Sequence, residues 1–477
     1  MLFNSYPFIF LFLPVVLLGF FALGRLGHLA PVIWLALASL AFYAAGNWQF
    51  VPLLLTSIAF NYAIGILLIA KRLAGPMRSA VLAAGVAGDL LMLGTFKYAG
   101  FVAANLNAVF ATGLSVNILL PVGISFYTFT QIAFLVDAYR GNVARYALPH
   151  YALFVSYFPH LIAGPILHHK DMIPQFDRAE SKGPDAHLIL CGVIIFAIGL
   201  FKKTCLADGI QPLVALAFGP NPPSFDQAWI GALAYTFQLY FDFSGYSDMA
   251  IGISLMFGIF LPLNFDSPYK ATSIIDFWRR WHMSLSRFLR DYLYIPLGGN
   301  RHGPAIRYLN LMATMALGGL WHGAAWNFVA WGVLHGIYLC INHAWQHFGP
   351  AVAPRFAKLA DGAAFFLTFI AVVVAWVLFR ADNLASALTI LSSMADPAKI
   401  AFGRGEIAYA VFIAVYAAIA WLAPNTQAIL GYDHKNRVVG EALLAWQRPG
   451  WLYAGAAALA FGILGIQQHS EFIYFRF

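Results

Sequence analysis

Runs of roughly 20 apolar residues, the length a helix needs to cross a hydrocarbon core, recur along this chain from one end to the other. They fall near 7–24, 29–45, 50–70, 79–96, 117–136, 149–167, 186–201, 226–241, 246–263, 308–323, 325–343, 362–379, 405–423 and 450–467. Lipid leaves backbone polar groups without water, so spanning segments must satisfy their own hydrogen bonds. The chain therefore reads as an all-α polytopic membrane protein. Several runs are short or broken by Gly and Pro, so about eleven or twelve true spans are expected. The remainder would be re-entrant or interfacial. Of 477 residues, 61% are hydrophobic and only 10% charged, with a mean hydropathy of +0.73. A soluble domain carries about 25% charged residues.

The run at 7–24 has no basic stretch before it and no small-residue cleavage site after it. It reads as a retained first helix, not a removed signal peptide. Arg25 and His28 follow it, the connection Gly46-Asn-Trp-Gln49 is uncharged, and Lys71, Arg72 and Arg78 mark the third loop. Positive-inside counting then puts the N-terminus outside. The formal charge of +8 sits in loops beside apolar runs, which suits contact with anionic lipid headgroups and gives no reason to invoke nucleic acid. Cys191, Cys205 and Cys340 form no close pair and no zinc spacing, so neither a disulfide framework nor a metal site is expected. Phosphate-loop, dinucleotide and zinc-protease motifs are absent, leaving nucleotide-driven coupling unsupported.

No internal repeat or low-complexity insert is visible, and one membrane domain over 1–477 is the economical organisation. The longest polar connections are 168–185, 264–310 and 430–449. Within 264–310, residues 272–295 alternate at helical spacing. Phe277, Trp278, Trp281, Leu285, Phe288, Leu289 and Tyr292 fall on one face, opposite Arg279, Arg280, Ser284, Arg287, Arg290 and Asp291. Such a helix suits a membrane surface. Thr272 or Ser273 can cap its start, and Pro296 with Gly298-Gly299 closes the region.

Two histidines stand out. His322 lies in the apolar stretch Met312–Leu334, where an ionisable group is costly and signals function by default. A desolvated imidazole stays neutral, the form a general base requires. His282 falls toward the apolar face of the 272–295 segment. The loop between them, Gly298-Gly-Asn-Arg-His-Gly303, allows the chain to turn back so that both share one cavity; spacing alone leaves a structural role for each equally open. Asp242 and Asp248 flank the Ser/Gly/Tyr break in Tyr240-Phe-Asp-Phe-Ser-Gly-Tyr-Ser-Asp-Met249. They either line a polar passage or neutralise Arg279 and Arg280. His160, in Phe158-Pro-His-Leu-Ile-Ala-Gly-Pro165, either lines a cavity or caps a turn.

Together these stretches carry a resemblance. Phe277-Trp-Arg-Arg-Trp-His-Met-Ser-Leu-Ser286, Asp291-Tyr-Leu-Tyr-Ile-Pro-Leu-Gly-Gly-Asn-Arg301 and Gly318-Gly-Leu-Trp-His-Gly-Ala-Ala-Trp-Asn327 resemble the signature blocks of the membrane-bound O-acyltransferase family. The Tyr240–Ala250 stretch and Leu161–Ile166 add two more matches to that family. Within it the chain most resembles the bacterial alginate O-acetylation branch, which the ending Glu471–Phe477 also resembles. Leu167-His-His169 departs from the pattern, where relatives often carry Arg. The resemblance implies tilted helices around a thinned centre with a central tunnel, and additional re-entrant and interfacial helices. It makes His322 the essential histidine and His282 the second motif residue. Trp321, Trp278, Arg279, Arg280, Asp242, Asp248 and Asn327 become substrate or tunnel candidates.

Transfer of an acetyl group from a thioester to a hydroxyl requires a base, and neutral His322 fits that task. His282 or Asn327 would orient the base or stabilise the oxyanion. Tyr474 offers a hydroxyl for an acyl relay, or is part of an aromatic belt. No resident cofactor is expected; acetyl-CoA or another acyl thioester is the donor substrate. The resemblance further implies a periplasmic hydrolase-like acetyltransferase partner and a polysaccharide biosynthesis and export complex, at the bacterial inner membrane. The acceptor is read as alginate, with peptidoglycan, cellulose or teichoic acid D-alanylation as alternatives. A proton-coupled transporter would explain buried histidines too, but it predicts broken helices in two related halves, and no such symmetry is visible.

Overall fold

The computed structural model describes residues 1–70, 75–179, 183–350, 353–401, 403–440, 449–466 and 472–473. Tyr474, and Lys71 and Arg72 of the third loop, lie outside the described residues. Regular structure among the described residues is helical, apart from one isolated bridge between Asp433 and Val438. The all-α reading is thus what the protein adopts.

Among the described residues, six helical runs are long and apolar enough to cross a membrane: Phe8–Leu26, Leu29–Ile69, Gly75–Phe110, Ala186–Phe218, Pro354–Arg380 and Gly405–Leu422. The expected count was larger for two reasons. Leu29–Ile69 joins two of the sequence runs into one 41-residue stretch. Other runs form shorter or more polar helices, such as the 16-residue Ile124–Tyr139. Leu18, Leu91, Leu367 and Leu422 are 72, 70, 73 and 80% exposed. Large apolar side chains displayed so fully suit lipid as solvent. This is a multi-pass membrane protein.

Contacts divide the chain into two compact units, each discontinuous in sequence. The first comprises Met1–Leu200, Tyr246–Pro262 and the described part of Leu430–Phe475. Its helices include α1 (Leu13–Leu23), α2 (Leu29–Asn47), α3 (Val51–Ile69), α4 (Gly75–Leu93), α5 (Ile124–Tyr139) and α6 (Leu148–Ser156). Here α2 packs on α6 and α4 on α5, and buried polar side chains pair between helices. Asn61 Nδ2 donates to Asp89 Oδ1 at 2.7 Å and Gln131 Nε2 to Ser57 Oγ at 2.8 Å, as apolar surroundings demand. His160 is 1% exposed, its Nε2 lying 2.8 Å from the carbonyl oxygen of Phe154; this is a local structural bond.

The second unit comprises Phe201–Gly245 and Leu263–Ile429. It contains the part of α7 (Phe225–Met256) up to Gly245, then α8 (Ile274–Arg280), α9 (Met283–Leu289), α10 (Gly303–His322), α11 (Trp326–Phe348) and α12 (Ala357–Arg380). The antiparallel pair α10–α11 is its centre. A Cβ on Gly319 would collide with the carbonyl oxygen of Phe328, and one on Gly332 with that of Met315. Glycine at both positions lets the two backbones touch, the usual device for helix pairing in lipid. That contact sets His322 beside Trp331.

Candidate active site

Ser273 caps α8 by accepting the Asp276 N–H at 3.1 Å. Asp276 in turn receives Nε of Arg280 at 3.0 Å, one helical turn on. Helical geometry then stops: Trp281 is extended and His282 has φ 43°, a left-handed conformation that His adopts more readily than most residues. The continuous helix expected over 272–295 is therefore corrected to α8, α9 and a π-helical turn at Arg290–Tyr294. Asn264 explains the break. Its Oδ1 accepts from the Ser284 N–H at 3.2 Å, from Ser284 Oγ at 2.8 Å and from His282 Nδ1 at 3.2 Å. Its carbonyl oxygen also takes the Met283 N–H at 3.0 Å. An interrupted chain frees those first-turn N–H groups, and Asn264 supplies the cap from elsewhere in sequence. The amphipathic face survives the break: Phe277, Trp281, Leu285, Phe288 and Leu289 are buried. Trp281 packs on Trp376 with ring centres 4.9 Å apart.

The same asparagine assigns the tautomer of His282. An oxygen that already accepts two hydrogen bonds can only accept a third, so His282 Nδ1 carries the proton and Nε2 carries a lone pair. The ring is 0% exposed. Burial lowers its pKa from 6.5 to about 3, so the imidazole is neutral at ordinary pH.

His322 is the last residue of α10, ahead of a short turn into α11. A helix C-terminus favours positive charge by about 0.3–1 kcal/mol, so an imidazolium at this position would be stabilised. The ring is 5% exposed and packs against Trp321, Trp331 and Phe379 at 4.9, 5.2 and 5.2 Å between centres. His282 and His322 come together, with ring centres 6.3 Å apart at 61°.

The other expected residues divide. Trp321 contacts both histidines, its centre 6.3 Å from that of His282. Trp278 Nε1 donates to Nδ1 of His335 at 3.3 Å. Asn327 Nδ2 donates to the carbonyls of Leu378 at 3.3 Å and Ala381 at 2.8 Å. Both amide hydrogens thus tie the start of α11 to the end of α12 and are not available to hold an oxyanion, while Oδ1 has no donor among the described residues. Arg279 is exposed and Arg280 is bound to Asp276. Asp242 pairs with Lys203 at 2.8 Å, and Lys203 also reaches Asp208 at 2.8 Å. A buried cation between two carboxylates, not Arg279 or Arg280, therefore balances Asp242. Asp248 belongs to the first unit, where it is buried.

Four residues escaped the sequence reading: Asn264, Lys203, Trp331 and His335. Trp331 and His335 are four residues apart on α11, and so share a face. That spacing was a usable signal; the roles of Asn264 and Lys203 depend on tertiary contacts. His335 is 0% exposed, and its ring lies 4.8 Å from that of Trp331. Among the described residues, no group of three or more His, Cys, Asp or Glu is arranged to hold a metal ion.

The sequence model of the membrane-bound O-acyltransferase family matches residues 15–381. The "Peptidoglycan O-acetyltransferase" of Helicobacter pylori is 45% identical over 423 residues, covering 83% of this chain and 80% of that protein. The "Probable alginate O-acetylase AlgI" of Pseudomonas aeruginosa is 45% identical over 401 residues, covering 83% and 75%. Its namesake in Azotobacter vinelandii is 44% identical over 405 residues, covering 83% and 78%. The chain belongs to the membrane-bound O-acyltransferase family, and it is an O-acyltransferase embedded in a membrane.

Proposed function

We propose that this O-acyltransferase takes acetyl groups from a cytoplasmic thioester, acetyl-CoA or another acyl thioester, and passes them across the bacterial inner membrane for O-acetylation of an exported polysaccharide, alginate first among the candidates. The observation that carries this reading is the pairing of His282 and His322, 6.3 Å between ring centres, inside an aromatic enclosure. His322 takes the proton of the acceptor hydroxyl as general base, an effect on the order of 10²–10⁴ in rate. His282, with its Nε2 lone pair, accepts a hydrogen bond and orients that hydroxyl. A narrow passage through the protein, lined by Trp278 and Trp321, limits hydrolysis of the donor. A periplasmic hydrolase-like acetyltransferase, acting with the export complex, finishes the transfer. Purified protein alone is then expected not to acetylate polymer, and efficient transfer without a partner refutes that part.

The test compares wild type, His322→Ala and His282→Ala, expressed at matched membrane levels in a strain lacking its own copy. Loss of acetyl ester from the exported polysaccharide in His322→Ala supports acyl transfer with His322 as base. Full ester in both variants refutes the mechanism. A second acceptor, peptidoglycan, is favoured by the Helicobacter pylori relative at the same 45% identity. Ester analysis of wall and exported polymer from one culture separates the two.

A further inference from the structure

Resting on that reading, one part of the chemistry still lacks a donor. A tetrahedral intermediate needs N–H or O–H groups aimed at its oxyanion. Asn327 has committed both amide hydrogens to Leu378 and Ala381. Neutral His282 donates through Nδ1 to Asn264 and presents a lone pair at Nε2. Two further N–H groups lie on one face of α11, the first beside His322 and the second one helical turn on. Trp331 is 1% exposed, and its ring lies 5.2 Å from that of His322. His335, 4.8 Å from Trp331, accepts the Trp278 indole N–H at Nδ1. An indole nitrogen can only donate. His335 is therefore the tautomer protonated at Nε2, a second fixed N–H. Neither Trp331 Nε1 nor His335 Nε2 has an acceptor among the described residues, although buried donors ordinarily find one.

We infer that the Nε1–H of Trp331 and the Nε2–H of His335 bind the carbonyl oxygen of the acyl thioester and hold the oxyanion that forms on it. Both donors are uncharged and sit among aromatic rings, with Trp376 stacked on Trp331 at 5.7 Å and 18°. That environment suits a neutral carbonyl, whose two lone pairs take two donors, over a phosphate or a carboxylate. The acceptor hydroxyl oxygen bonds to the carbonyl carbon while its proton passes to His322. The C=O π pair moves onto oxygen, where the two N–H groups hold it. Collapse re-forms C=O and breaks the C–S bond, and the departing thiolate takes the proton back from His322. The products are one ester and one thiol.

The experiment measures the rate of acetyl-ester accumulation on exported polymer in a strain carrying wild type, His335→Phe, His335→Gln, or a chain with Trp331 replaced by 3-benzothienylalanine. The last keeps the ring shape and exchanges only Nε1–H for sulfur. Membrane abundance and thermal stability are matched for each. Loss of one such donor is expected to slow transfer about 10²–10³-fold. His335→Gln, which restores an N–H, is expected to recover at least tenfold over His335→Phe. Wild-type rates in both His335→Phe and the benzothienyl protein overturn the assignment, as does failure of His335→Gln to improve on His335→Phe. If wild type itself restores no ester to the deletion strain, the acyl-transfer reading falls and this site with it.

Discussion

Replacing Asn264 by leucine keeps the branched skeleton and removes the amide oxygen and nitrogen, at a position that is 0% exposed. In the native protein that oxygen accepts three hydrogen bonds, at 3.2, 3.2 and 2.8 Å. The three donors respond differently. The Ser284 hydroxyl rotates to another acceptor, but the Ser284 N–H is fixed by the backbone and stays unsatisfied in a buried position. One such group destabilises by about 1–3 kcal/mol. His282 escapes a similar penalty by moving its proton from Nδ1 to Nε2, which reverses its hydrogen-bonding role toward the acceptor hydroxyl. Asn264→Leu is therefore expected to lose about 1–3 kcal/mol of stability and to slow ester formation at least tenfold, which corresponds to about 1.4 kcal/mol of barrier. Asn264→Asp, which keeps an acceptor, is expected to leave the proton on Nδ1. Solid-state ¹⁵N spectra of histidine-labelled protein, with His282 assigned by difference from His282→Gln, report which nitrogen is protonated. If His282 keeps Nδ1–H in Asn264→Leu while ester formation falls, tautomer control by Asn264 is refuted.

Three further outcomes are expected. His282 has a native pKa of about 3 against 6.5 when unfolded. The unfolded chain therefore binds the extra proton in that window, and stability falls as pH drops from 6.5 toward 3, by about 1.4 kcal/mol per unit. Unfolding in detergent at several pH values checks this; the same slope in His282→Gln as in wild type contradicts it. Gly332→Ala places a Cβ against the Met315 carbonyl and is expected to destabilise by about 1–3 kcal/mol. Gly362→Ala, with nothing within 4 Å of its Cβ, serves as the neutral control, and equal unfolding of the two would show that the α10–α11 contact is not tight. Lys203→Met removes the cation that Asp208 and Asp242 share and is expected to cost about 3–5 kcal/mol. Adding Asp208→Asn and Asp242→Asn should recover most of it, and no recovery would mean that the triad is not the cause.

Much of this protein is legible without coordinates, because lipid makes a strong and local demand. A run of some 20 apolar residues must become a helix wherever it lies in the chain, and the ionisable residues it tolerates stand out by their rarity. That logic singled out His322, and the Trp-Arg-Arg-Trp-His block drew attention to His282. The wheel over 272–295 correctly sorted Phe277, Trp281 and Leu285 to the buried side. It failed at the break, because Asn264, some twenty residues upstream, supplies the bonds that stop the helix, and helical periodicity carries no record of so distant a partner. The same limit explains Asn327 and Asp242. As residue types they suited an oxyanion site and an arginine partner; the carbonyls of Leu378 and Ala381, and Lys203, had prior claim on them. Sequence alone determined that the chain is helical, lives in a membrane and carries two special histidines. The tertiary structure decided how near those histidines stand, which nitrogen of His282 holds the proton, and which buried N–H groups are left without an acceptor among the described residues. Each of those is settled by helix contacts and hydrogen bonds between residues far apart in the chain, whose pairing exists only once the helices have packed.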